Sequence, residues 1–177
     1  HTRFANPEMA ELLLEIWQRV FTNQGHGTLH DCDFPGFTLM GAPSFTTDRR
    51  PPERMQMDAG MSATAAIMDM MLHTRRGVHH VFAGAPAAWE RLAFEGIRTA
   101  GPFLVSAERE QGRVKRVEIK SEMGGPFRLS NPWPGPAVVR RTSGEEERLS
   151  GPVLEIDTQA GERVILGPQD KSQGRRE

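Results

Sequence analysis

Cys32 is the only cysteine among 177 residues, so no disulfide can form within the chain. Charge of one sign is missing too: 22 basic side chains stand against 23 acidic ones. So near a balance gives no chain-wide field, and neither nucleic acid nor an anionic membrane is expected as a partner. No apolar run approaches the ~20 residues that a membrane-crossing helix requires. Residues 1–20 lack a basic segment followed by an apolar core, so no signal peptide is read there. The compartment is left unassigned, and export is compatible with what is present. Fixed-spacing motifs are also lacking. There is no CxxC, no HExxH, no phosphate-cradling glycine loop and no dinucleotide fingerprint, so neither a cofactor nor a metal is expected.

What is present begins with a helix signal. Asn6 suits an N-cap and Pro7 the first helical position. Met9, Leu12, Leu13, Ile16, Trp17 and Val20 then recur at the spacing of one helix face. Residues 25–53 mix glycine, proline and phenylalanine without a period and read as a long loop, which in a compact domain is usually functional. A second helix is expected from Met61 or Ser62 to about His73. Its face is Ala63, Ala66, Ile67, Met70 and Met71, and Arg75 and Arg76 lie at its end, where the helix dipole favours cations. From Val78 the period becomes two. Strands are expected over 78–84, 101–110, 113–121, 135–142, 152–158 and 162–168, separated by turn signals such as Gln111-Gly112 and Ser143-Gly144. The tail over 169–177 is polar and reads as frayed.

Two helices with more than one apolar or small face cannot seal a layer by themselves. Hydrophobic residues, at 37%, are also few for a self-contained core. The chain begins at His1, not Met. The expectation is therefore an α+β fragment of a larger protein: the end of a helical domain over 1–77, then an antiparallel β domain over 78–168.

The candidate sites are few. Asp58, in "RMQMDAGMSATAAIMDMML" (54–72), is either a helix cap or a general base at the mouth of the helical domain, with Gln56 placed to hold a substrate hydroxyl. His26, His30, Asp31, Cys32 and Asp33 are metal-capable. However, the glycines flanking His26 argue against the helix that would align them, and a polar loop is the simpler reading. His79 and His80 alternate across a strand, so at most one faces a given pocket. Trp17, Trp89 and Trp133 read as core or interface residues, and "GEEERLSG" (144–151) as a solvated turn.

Taken in order, several segments resemble the C-terminal part of glycoside hydrolase family 95 proteins, the α-L-fucosidase and α-L-galactosidase group. They are Gln56-Met57-Asp58-Ala59-Gly60 with "TAAIMDMML", "VHHVFAGAPAAW" (78–89), "FEGIRTAGPF" (94–103) and "LEIDTQAGERVILGP" (154–168). The resemblance covers roughly residues 54–168. It implies the last helices of an (α/α)6 barrel followed by the family's C-terminal β domain. It also implies inverting hydrolysis of terminal α-linked fucose-like sugars in an oligosaccharide or glycan, with Asp58 on the base side. Inversion requires two carboxyl groups roughly 6.5–9.5 Å apart, and the family's acid falls upstream of this chain. A missing N-terminal part of the same polypeptide is therefore the expected partner, and the chain alone is expected to be inactive. The family's Gly-Asn-Phe is Ala59-Gly60-Met61 here, which removes an amide side chain. The alternative is a non-catalytic carbohydrate-binding or interaction module, or the remnant of a pseudoenzyme.

Overall fold

The computed structural model describes residues 6–16 and 57–169. The loop expected over 25–53, the end of the first helix beyond Ile16 and the tail from 170 lie outside the described residues. Helix α1 (Pro7–Ile16) starts as its sequence indicates. Asn6 Oδ1 accepts the Met9 N–H at 3.0 Å, a side-chain cap on an otherwise unpaired donor. Among its described side chains Ala10 is fully buried, whereas Leu12 of the expected face is exposed. Asn6→Ala is expected to weaken this first turn by about 1 kcal/mol, read as faster hydrogen exchange at the Met9 amide.

Helix α2 (Met57–Met71) begins earlier than its apolar pattern suggests and ends two residues sooner. It passes without a loop into strand β1 (Leu72–Arg75), which pairs antiparallel with β2 (Val78–Val81). The turn between them is Arg76-Gly77, both at positive φ (51° and 74°), as the mirror-image two-residue hairpin turn requires. Arg75 and Arg76 thus belong to a hairpin and not to a helix end. The last helical carbonyls are met otherwise: His73 Nδ1–H donates to Asp69 O at 2.9 Å, and Phe82 N–H donates to Met71 O at 2.8 Å.

The remaining strands are β3 (Leu92–Arg98), β4 (Phe103–Glu110), β5 (Arg113–Ser121), β6 (Gly125–Ser130), β7 (Ala137–Arg141), β8 (Glu146–Leu149), β9 (Val153–Thr158) and β10 (Arg163–Pro168). One sheet has the order β1-β2-β6-β9, the other β3-β4-β5-β10-β7-β8. The smaller sheet is mixed, because β2 and β6 run parallel and bridge at His79 and Leu129. Alternate residues of both sheets turn inward. Val105, Val117, Ile119, Val139, Val164 and Leu166 come from the larger sheet, and Phe127, Leu129, Leu154 and Ile156 from the smaller; they join in one cluster. The two sheets therefore pack face to face around a shared core.

This corrects the expected architecture. The described residues are mostly β, with two helices and two sheets, and no portion of an (α/α)6 barrel occurs among them. The reason is local. A helical layer requires helices packed along their lengths, but α2 makes its principal helix contact with β1 and has no comparable packing against α1. The expected purely antiparallel sheet also gives way to the β2–β6 parallel bridge.

Gly124 is needed for space as well as for conformation. It lies at φ 79°, and a Cβ there would sit 3.1 Å from both Thr158 O and Ala160 N. Its N–H donates to Ser121 Oγ at 3.0 Å, and that oxygen lies 2.8 Å from the Thr158 hydroxyl, which donates to Gly125 O at 2.7 Å. Gly124→Ala is expected to cost about 1–2 kcal/mol, read as a lower denaturant midpoint at unchanged slope.

Candidate functional site

Asp58 is the second residue of α2, inside its first turn. Free N–H groups and the positive end of the helix dipole favour an ionised carboxylate in that turn. From Asp58 to Met71 the helix rises about 20 Å at 1.5 Å per residue. The far end is anchored to the smaller sheet through the His73 and Phe82 bonds given above. The helix is thus anchored at its C-terminal end, and Asp58 lies in the turn at its other end. Gln56 lies outside the described residues, as do His26, His30, Asp31, Cys32, Asp33 and Trp17, so Asp58 alone of the predicted site has a place in the fold. One face of α2 is covered at Ala63, Ala66 and Met70, whereas Met61, Ile67 and Met68 are exposed at 64%, 37% and 42%. At 100° per residue Met61 and Met68 lie on the side of the helix opposite Ala63 and Met70, whereas Ile67 lies at the margin of the covered face.

At the anchored end three histidines meet. His79 is only 4% exposed and stacks on Phe127, with ring centroids 4.3 Å apart. Its Nδ1 lies 2.8 Å from Thr74 Oγ1 and 2.9 Å from Thr99 Oγ1, and the two hydroxyls are 2.9 Å apart. Burial, with repulsion from His80, lowers its pKa from 6.5 to about 4, so it is neutral at pH 7. His80 points the other way, as strand alternation requires. It stacks on His73 at 4.9 Å, and its pKa is lowered by burial and by the neighbouring His73 and Arg75. His73 is itself buried. Because Nδ1 carries the proton given to Asp69 O, Nε2 faces the interior with no partner among the described residues. Among the described residues no group of three His, Cys, Asp or Glu could hold a metal ion.

Two tryptophans fall where the sequence suggests. Trp133 is buried, with Nε1–H donating to Val114 O at 2.8 Å, and Trp89 packs at the edge of the core. What the sequence reading missed is Arg109. Phe103, Val105 and Ala107 form the inward row of β4, and Arg109 continues that row by parity. The partner strand carries an irregularity there: Glu108 pairs with Arg116 but Arg109 with Val114, so Lys115 is an extra residue. Such a bulge re-aims the neighbouring side chains. The signal was in "FLVSAERE", a cation on the parity of the apolar residues.

No protein-family model matches the chain, and no curated protein sequence matches it.

Proposed function

We propose that the chain supplies the base-side carboxylate, Asp58, of an inverting exo-glycoside hydrolase acting on terminal α-linked fucose-like sugars, with Gln56 holding a substrate hydroxyl. The observation that carries this reading is the position of Asp58 in the first turn of α2, on a helix hydrogen-bonded to the smaller sheet at its other end. A general base must stay ionised and must not move relative to the attacking water, and that position favours both. The ordered run of family-like segments from Gln56 to Pro168 supports the same reading.

One carboxylate cannot both activate water and protonate the leaving oxygen. The reading takes the acid from polypeptide upstream of this chain, as the resemblance implies, and the exposed Met61, Ile67 and Met68 offer apolar surface on α2 against which it could pack. The reading does not call on a helical barrel. It is tested by incubating the complete gene product with an aryl α-L-fucoside and with a fucosylated oligosaccharide. Release of free sugar is expected. A folded complete protein that binds such glycans without cleaving them would transfer the reading to the alternative, a non-catalytic carbohydrate-binding module.

A further inference from the structure

Arg109 lines a pocket of about 310 Å³ between the end of β2, the β4–β5 hairpin and the start of α1. That volume lies at the lower end of small-ligand sites, which run from about 300 Å³ upward. The Arg109 Nε is buried and has no hydrogen-bond partner among the described residues, and the side chain makes no ion pair among them. Its Nη2 lies 3.8 Å from the place a Cβ would take on Gly112, which itself lines the pocket. A guanidinium held this way, partly out of water and without an anion, is costly unless an acceptor arrives.

The rest of the wall narrows the ligand class. Phe82, Ala85, Val114 and Pro132 are apolar. Asn131 is already committed: its Nδ2 donates to Gly135 O and Gly151 O, and its Oδ1 accepts Trp133 N–H. His80 also lines the pocket, and burial, with His73 and Arg75 beside it, holds it toward the neutral form, leaving Arg109 as the one fixed cation among the described lining residues. One cation matches a monoanion better than a phosphate dianion. With Nε shielded, the paired Nη1–H and Nη2–H donors of the planar guanidinium match the two oxygens of a carboxylate.

We propose that this pocket binds a small monocarboxylate with an apolar body, its two oxygens taken by Arg109 and its body resting on Phe82, Ala85 and Val114. The site is independent of Asp58 and of the hydrolase reading. The test titrates benzoate and hexanoate, with benzyl alcohol as the neutral counterpart of benzoate, into the full 177-residue chain while following its amide and arginine Nε–H resonances by NMR. Saturable binding of the carboxylates is expected, with the Arg109 Nε–H signal shifting and benzyl alcohol binding at least about tenfold more weakly. Arg109→Gln should abolish the advantage of benzoate over benzyl alcohol. Equal binding of the two, or no saturable shift with either carboxylate up to about 100 mM, overturns the site. The ligand-side comparison uses the unaltered protein, so it decides the matter even if Arg109→Gln fails to fold.

Discussion

Asp58→Asn in the complete protein is expected to lower turnover of an α-L-fucoside by about a hundred- to ten-thousandfold, with the thermal midpoint almost unchanged. The two readings of Asp58 part at this substitution. As a cap or first-turn acid, Asp58 contributes through a side-chain acceptor and through its charge near the helix dipole. Asparagine keeps the acceptor and caps as well as aspartate does. Losing the charge costs only about 0.3–1 kcal/mol in an exposed first turn. As a base, Asp58 must take a proton from water, which an amide does not do at neutral pH. Turnover in the variant within a few-fold of the parent, at equal stability, would leave Asp58 a structural acid. Asp58→Ala removes cap and base together and is the weaker experiment for that reason.

Stability is expected to fall by about 3 kcal/mol as pH drops from 6.5 to about 4, through His79 alone. The sign follows from proton uptake. In the unfolded chain His79 titrates at its ordinary value near 6.5; in the fold, burial and His80 hold it at about 4. Between those values the unfolded chain binds the proton and the native state does not, so acid favours unfolding. Below about 4 both states carry the proton and the contribution is flat. The ring is 4% exposed and stacked on Phe127, so solvent screens the effect little. His80, also lowered, acts in the same direction. Denaturant midpoints at pH 7 and pH 4.5 should show the loss. In His79→Gln the difference between them should shrink by about 2 kcal/mol. An unchanged difference would mean that His79 titrates normally in the fold.

The strands that carry the core were legible where apolar residues alternate without interruption, as in "FLVSA" and "RVILGP". Strand β6 was not, because Gly124-Gly125-Pro126 is turn chemistry, and only pairing with β9 places Gly125–Ser130 in the smaller sheet. Strand β8 was read as a solvated turn because its Glu146, Glu147 and Arg148 are solvent-side residues of an edge strand, kept in place by β7. Strand β1 was hidden inside a helix pattern: Leu72 continues the apolar spacing of α2, and the turn at Arg76-Gly77 draws the chain into the sheet. These are tertiary pairings that overrule local preference. The barrel expectation failed for a different reason. It came from the resemblance, and among the described residues α2 runs into strand β1 and makes no comparable packing against α1. Of the candidate site, the opposed directions of His79 and His80 were readable from strand alternation, whereas Asp58 was singled out by its place before a helix pattern and by the resemblance, not by spacing. The Thr74–Thr99–His79 contact joins three separate strands or loops, and no spacing in the sequence announces it.

The central claim is inversion at the anomeric carbon with Asp58 as base. The most direct measurement is the proton NMR spectrum of the sugar released from an α-L-fucoside in the first minutes of reaction with the complete protein, before mutarotation mixes the anomers. The account predicts β-fucose as the first product, and its absence in Asp58→Asn. Initial release of α-fucose would mean a retaining mechanism with a carboxylate nucleophile, and would contradict the role given to Asp58.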